Sequence, residues 1–181
     1  MLSTYRHSLL IGALLFGVCQ SVQAQPETVG QIILASGQLQ ANQPNQTPRS
    51  LKRGSPFFAH DTLTTSNNSE AQLRFTDGTL VSLRPNSAFK IDQYKFSNAP
   101  AADHKNTTVD YTVSLVKGGL RSISGEIAKK DPNAYQINAG VATIGVRGTE
   151  FSLVLDQAGG LGVNHPQTSS ASLRLSFRHS G

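Results

Sequence analysis

Apolar and polar residues alternate in short runs along most of the chain. In the clearest run, Ala71, Leu73 and Phe75 alternate with polar residues, which is the period of a strand with one buried face. The run over 109–115 has the same period. No stretch of the sequence carries an apolar stripe over three helical turns, the pattern that an amphipathic helix requires. The pattern therefore predicts an all-β fold, a single compact domain of short antiparallel strands and hairpins.

The dipeptide Asp77-Gly78 follows the first run and predicts a hairpin, because glycine there supplies the positive φ of a tight turn. A two-residue turn would place Phe75 opposite Leu80. A shift by one residue would instead place Phe75 opposite Val81, and every partner residue would change face. Burial of apolar side chains favours the second register, which requires a bulge or a longer loop.

The other strands are predicted on the same grounds, with glycine and proline marking where they end. They are two strands within 25–40 separated at Gly37, a strand over 89–96 with a change of phase after Ile91, a turn at Gly118-Gly119, a turn over 129–133, and strands over 135–141 and 144–155.

The first residues predict a targeting segment. Arg6 precedes an apolar stretch over 9–18 that is too short to span a membrane as a helix. Val22 and Ala24 then stand at the positions that a signal peptidase reads. We therefore expect a signal peptide over 1–24, cleaved after Ala24, followed by a β domain over 25–156. We expect residues 157–181 to be a Gly/Ser-rich C-terminal tail, and whether it contains one further strand is left undecided by the pattern.

Charge and cysteine content narrow the classes of function. Cleavage after Ala24 lowers the net charge from +5 to +4 and removes Cys19, the only cysteine. The mature chain then has no thiol for catalysis or for a disulfide. Its positive charges are scattered, and export argues against nucleic acid as a partner. A positively charged exported domain can still bind anionic lipid headgroups, wall polymers or an acidic protein surface.

The sequence predicts no catalytic, metal or cofactor site. Its histidines lack the spacing of a zinc site, and its serines lack the Gly-x-Ser-x-Gly elbow of a hydrolase. His60-Asp61 has the chemistry of a general base beside an orienting carboxylate, and a hydrolase hypothesis rests on this pair alone. Gly145 and Gly148 permit a turn or a close backbone approach. Arg147 and Glu150 are three residues apart, so they are expected either to pair with each other or to bond to buried carbonyls.

Four segments in order resemble the FecR domain family. The segment 142–153, Ala-Thr-Ile-Gly-Val-Arg-Gly-Thr-Glu-Phe-Ser-Leu, is similar to the family's signature, and 75–85 and 116–121 are similar to its Asp-Gly hairpin and its Gly-x-Leu-Arg step. Residues 61–65 resemble its Gly-Asp-x-Leu-x-Thr entry, with His60 where glycine is usual. The motif residues expected to serve structure or partner contact are Asp77, Gly78, Gly118, Gly119, Arg121, Gly145, Arg147, Gly148, Thr149 and Glu150.

The resemblance implies an extracytoplasmic, β-rich module with a sandwich-like or solenoid-like fold and no cofactor. The best-known members follow a cytoplasmic anti-sigma segment and a membrane helix, and relay a signal from a TonB-dependent receptor. Here the N-terminal residues predict a signal peptide, so we expect a free periplasmic domain without the anti-sigma segment and without a transmembrane helix in the mature chain. Its expected partner is an envelope protein, either a membrane sensor or a TonB-dependent receptor.

A module that binds peptidoglycan or surface glycan is the alternative. Export, the positive charge and several aromatic residues favour it. The complete lack of tryptophan weighs against it, because sugar rings stack on large aromatic side chains.

Overall fold

The structure is a computed structural model that describes residues 27–97, 108–147, 150–156, 158–164 and 172–177. The predicted signal peptide lies outside these residues. The all-β prediction is confirmed, because 14 strands form one curled and nearly all-antiparallel sheet. The strands are β1 (Thr28–Ser36), β2 (Leu39–Asn42), β3 (Arg49–Ser50), β4 (Pro56–Phe58), β5 (Thr62–Thr65), β6 (Glu70–Phe75), β7 (Leu80–Leu83), β8 (Ala88–Lys95), β9 (Asp110–Ile123), β10 (Tyr135–Ala139), β11 (Ala142–Arg147), β12 (Glu150–Leu155), β13 (Leu161–Asn164) and β14 (Ser172–Phe177).

The curled sheet has two halves that share strand β9. We call the half with the order β4-β1-β6-β7-β9-β12-β13 the front half, and the half with the order β3-β2-β5-β8-β9-β10-β11-β14 the rear half. Among the described strands only β9 and β10 pair in parallel. Because β9 belongs to both halves, they are parts of one sheet and not separate domains.

Strand β9 passes from one half to the other at Gly118-Gly119. The predicted turn at these glycines is therefore wrong. Residues 110–117 pair with β8 in the rear half, and 118–123 pair with β12 in the front half. Gly118 has φ +81°, which redirects the strand without ending it.

The core lies between the two halves. The ring of Phe75 from the front half is 5.4 Å from that of Tyr94 and 5.0 Å from that of Tyr111, both in the rear half. Phe57 packs edge-on against the other side of Phe75 at 5.0 Å. All four rings are buried, so burial of aromatic surface holds the halves together.

The hairpin of β6 and β7 has neither of the two registers considered above. Leu73 pairs with Val81, and Phe75 donates its N–H to the carbonyl of Thr79 at 2.9 Å. The loop consists of three residues and ends at Gly78 with φ +85°, which is the second commonest hairpin connection. Leu73 and Val81 are still buried. The observed register therefore buries the apolar residues through a longer loop, but it is shifted by one residue in the direction opposite to the predicted shift.

Two further predictions have clear outcomes. The change of phase in β8 is confirmed as an irregularity in pairing between Ile91 and Gln93. The break at Gly37 is also confirmed, and it places β1 in the front half and β2 in the rear half. The sequence did not predict helix α1 (Glu126–Lys130), because five residues are too few to show helical periodicity. In the described part of the chain, no helix has the length and apolar character to cross a membrane.

Candidate functional site

The motif residues of the hairpin and of strands β9 and β12 occupy two kinds of place in the fold. Asp77, Gly78, Gly118 and Gly119 lie where the chain changes direction, and all but Gly78 are at least half-buried. Arg121 and Glu150 lie on the solvent-facing surface of the front half, which we call the front face.

Asp77 is the centre of a buried polar cluster and is 3% exposed. Its carboxylate accepts the hydroxyl proton of Thr79 at 2.8 Å and that of Tyr94 at 3.3 Å. It also accepts the backbone N–H of Ile127 at 3.4 Å, while its own carbonyl accepts the N–H of Glu126 at 2.9 Å. Asp77 therefore caps the first turn of α1 from a hairpin 50 residues away, because the first N–H groups of a helix have no partner within the helix.

Three tyrosines fill the core beside Asp77. The rings of Tyr111 and Tyr135 are stacked 4.3 Å apart with an interplanar angle of 2°. The hydroxyls of Tyr135 and Ser122 are 3.0 Å apart. Burial raises the pKa of Tyr94, Tyr111 and Tyr135 well above the ordinary tyrosine value. All three stay protonated. The hydroxyls of Tyr94 and Tyr135 form hydrogen bonds, whereas the buried hydroxyl of Tyr111 has no partner among the described residues.

The turn before β8 braces the glycines where β9 changes halves. The Ser87 hydroxyl donates to the carbonyl of Gly119 and accepts its N–H, both at 3.0 Å. A Cβ on Gly118 would lie 2.6 Å from the Cα of Ser87. Thr65, the last residue of the Asp-x-Leu-x-Thr motif, donates to the carbonyl of Arg84 at 2.6 Å and accepts the N–H of Ser87 at 2.9 Å. The motif threonine thus fixes the turn that holds the two glycines.

Asp61, the first residue of the same motif, is fully buried. Its carboxylate forms an ion pair with Arg49 at 2.6 Å and accepts the N–H of Phe58 at 2.9 Å. The preceding residue, His60, has φ +67°, a backbone conformation that favours glycine. The structure thus commits Asp61 to Arg49 and leaves the hydrolase hypothesis without the orienting carboxylate that it needs.

Arg121 and Glu150 form the exposed part of the motif. The Nε of Arg121 donates to Oε1 of Glu150 at 2.7 Å, and its Nη2 lies 2.6 Å from the same oxygen. Their side chains are 53% and 30% exposed. Sequence proximity suggested Arg147 as the partner of Glu150, but strand pairing brings Arg121 from β9 alongside β12.

The remaining motif residues lie in and after β11. Gly145 pairs with Gln136 of β10, and the backbone of Arg147 pairs with Ser172 of β14. The side chain of Arg147 lies outside the described part of the chain, as do Gly148 and Thr149. Their predicted roles stay predictions.

The described residues include no group of three or more His, Cys, Asp or Glu side chains that could hold a metal ion. What the exposed motif pair can do chemically is form charge-assisted hydrogen bonds, since a guanidinium and a carboxylate are both strong binding groups for peptides.

Among the described motif residues, Asp77, Gly118 and Gly119 lie at corners of the curled sheet, and Arg121 and Glu150 form an ion pair on its surface. The family model described as FecR protein matches residues 61–164, more than half of the chain. The chain belongs to the FecR family, a signalling regulatory family of the cell envelope. No curated protein and no solved structure matches the chain.

Proposed function

We propose that this protein is a periplasmic FecR-domain module that regulates envelope signalling by binding another protein and catalyses no reaction. Family membership supports the signalling role in general. The observation that carries the binding role is the exposed Arg121–Glu150 pair, because the buried motif residues already have complete structural explanations. A membrane sensor or a TonB-dependent receptor is the proposed partner.

The pair is suited to recognition more than to stability. Exposed ion pairs contribute about 0–1 kcal/mol to folding, so loss of Arg121 costs the fold little. In an interface the same guanidinium would be desolvated, and arginine is among the residues that dominate binding energy there. We therefore also propose a contact role for Arg121 and Glu150, and a structural role for Asp77, Gly78, Gly118 and Gly119.

The proposal is tested with a photo-crosslinking amino acid placed at position 121 in the living cell. The matched control carries it at position 90, where Lys90 lies on the rear half, also exposed. We expect position 121 to capture a membrane sensor or a TonB-dependent receptor and position 90 to capture neither. Equal capture from both positions, or capture of wall fragments only, would overturn the binding role.

Location is tested separately by cell fractionation and N-terminal sequencing. The proposal requires the protein in the periplasmic fraction with Gln25 as its first residue. A chain that retains residues 1–24, or that stays in the cytoplasm, would contradict it.

One observation favours glycan binding as a second candidate. The solvent-facing surface of the rear half has an open groove of about 380 Å³ lined by Asp92, Ser114, Asn138 and Thr143. Amide, hydroxyl and carboxylate groups are those that bind sugar hydroxyls. Several of them are already paired, because Thr143 donates to Asn138 at 2.8 Å and Lys90 lies 2.7 Å from Asp92. Sedimentation with isolated peptidoglycan distinguishes the candidates, since co-pelleting supports glycan binding and a protein left in the supernatant excludes it.

A further inference from the structure

The solvent-facing surfaces of the two halves differ in chemistry. In the rear half, the row across β8, β9, β10 and β11 consists of Lys90, Ser114, Asn138 and Thr143, the polar pattern expected of a strand face in water. The front face exposes Leu34 at 43% and Val154 at 41%, while the aliphatic residues exposed in the rear half lie near its margins, Val116 beside the crossing of β9 and Val141 in the turn between β10 and β11. Single exposed aliphatic side chains are normal on a sheet surface, and only a contiguous group of them indicates a binding site. Leu34 adjoins such a group on the front face.

Apolar side chains on the front face surround a shallow depression. Leu80 of β7 lies directly opposite Ile123 of β9, so their side chains are neighbours. Both are half-buried, and with Ile33 they form the apolar side of a depression of about 130 Å³. Gln72, Ser82 and Arg121 form its polar side. Its size suits a single aliphatic side chain, not a small-molecule ligand, which needs several hundred Å³.

The irregular pairing of β1 widens this apolar surface. The register of β1 against β6 shifts between Ile32 and Leu34, so one extra residue is accommodated there, as in a β-bulge. As a result Ile33 borders the depression and Leu34 is also turned to solvent. Bulges re-aim side chains at functional positions, and this one places two consecutive aliphatic residues on the front face.

Arg121 lines the depression, and two further arginines, Arg74 and Arg84, lie on the same face. Arg74 is paired with Leu80 across β6 and β7, and Arg121 is paired with Ser82 across β7 and β9. The side chain of Arg84 lies over Gly119, where a Cβ would be 3.0 Å from its Cδ. Within the described part of the chain, Arg121 pairs with Glu150, whereas Arg74 and Arg84 have no ion pair.

The same face carries two carboxylates, Glu70 and Glu150, so three arginines leave it with an excess of positive charge. Arg74 and Arg121 lie two strands apart and are offset by two residues along the strands, so their Cα atoms are about 12 Å apart. Alternate side chains of an extended segment point the same way and repeat about every 6.6 Å. In a segment with one acidic residue two positions before an aliphatic residue and another two positions after it, all three side chains point to the same face. This spacing matches that of the depression and the arginines beside it, given the length of the arginine side chains.

We propose that the front face binds an extended acidic segment of a partner protein, with one aliphatic side chain in the depression beside Leu80 and Ile123. Carboxylates on either side of that residue contact Arg74 and Arg84 or Arg121. This proposal rests on the proposed function and names the chemistry of the partner segment. Apolar anchors flanked by charged contacts are the usual composition of a small interface centre.

The test titrates the isotope-labelled protein, in the form that accumulates in the cell, with the peptide acetyl-Gly-Glu-Ser-Leu-Ser-Glu-Gly-amide. We expect NMR shifts clustered on the front-face residues of β6, β7 and β9, and binding that weakens as salt rises. The variant with Arg74→Glu and Arg84→Glu should bind at least tenfold more weakly. The control variant with Lys90→Glu and Lys117→Glu has the same net charge and should bind like the unaltered protein.

A second peptide with lysine in place of both glutamates should bind at least tenfold more weakly than the acidic one. Equal affinity for the two peptides, shifts clustered on the rear half, unchanged binding by the Arg74/Arg84 variant, or no binding at millimolar peptide would overturn the proposal. Its failure is distinguishable from failure of the proposed function. If the peptide does not bind but position 121 still captures an envelope protein, the binding role stands and only the chemistry assigned to the partner is wrong.

Discussion

Replacement of Gly118 by alanine should lower the free energy of unfolding far more than the same change at Gly78. Both glycines have positive φ, +81° and +85°, and this conformation costs an L-residue about 1–2 kcal/mol. A Cβ on Gly78 would meet nothing within 4 Å, whereas one on Gly118 would lie 2.6 Å from the Cα of Ser87 and 2.8 Å from the carbonyl oxygen of Asn86. The two variants therefore share the backbone strain and differ in steric conflict.

The conflict at Gly118 has a calculable consequence. To admit the Cβ, the turn at Ser87 must move away and lose its two hydrogen bonds with Gly119, each worth about 1 kcal/mol. With backbone strain added, we expect about 3–4 kcal/mol for Gly118→Ala and about 1–2 kcal/mol for Gly78→Ala. At 2–4 °C per kcal/mol for a domain of this size, the expected decrease in Tm is about 6–16 °C for the first and about 2–8 °C for the second.

Urea denaturation followed by far-ultraviolet circular dichroism measures both values. The reasoning depends on the difference between the variants, which removes the shared cost of positive φ. If the two free energies of unfolding agree within about 0.5 kcal/mol, Ser87 does not pack on Gly118, and the path of β9 between the halves is wrong. A selective effect at Gly118 would instead verify the crossing that organises the whole sheet.

Three further changes are predicted from local contacts. His60→Gly should stabilise the protein by about 0.5 kcal/mol, because relief of strain at positive φ exceeds the added entropy of the unfolded chain. The control His60→Ala should not raise the stability, and an equal gain from both variants in thermal melts would contradict this prediction. Asp61→Asn should cost about 2 kcal/mol in urea denaturation, because a buried carboxylate loses its charge-assisted bonds to an arginine; a change below about 0.5 kcal/mol would refute the role of the ion pair. Burial raises the pKa of Tyr94, Tyr111 and Tyr135, so the folded state retains protons that the unfolded chain releases above about pH 10. The stability that depends on these tyrosines should therefore be complete below that pH and should fall as the pH rises further. A urea midpoint that stays constant from about pH 9 to 11 would contradict this prediction.

The strands were predictable because each half-buried strand repeats its pattern every two residues. The irregularity in β8 was predictable for the same reason, since the apolar positions change phase after Ile91. The path of β9 was not, because Gly118-Gly119 has the composition of a turn and only the contact with Ser87 makes it a bend within a strand. Local composition does not contain such distant contacts.

The candidate site was predictable only in part. The resemblance pointed to Arg121 and Glu150 separately, but sequence distance suggested Arg147 as the partner of Glu150. The observed pair depends on the antiparallel pairing of β9 and β12, which no local pattern specifies. Arg74 and Arg84 were missed because scattered positive charges have no periodicity, and their common surface exists only once β6, β7 and β9 are side by side.

The shared strand also has a consequence for how the molecule opens. A sandwich made of two independent sheets can lose one layer while the other persists, and its amides then exchange with solvent in two groups. Here one continuous strand joins the halves, since residues 110–117 of β9 supply hydrogen bonds to the rear half and 118–123 to the front half. Opening of either half therefore displaces the end of a strand that the other half holds, and we expect the amides of β9 to exchange more slowly than those of the outer strands in both halves.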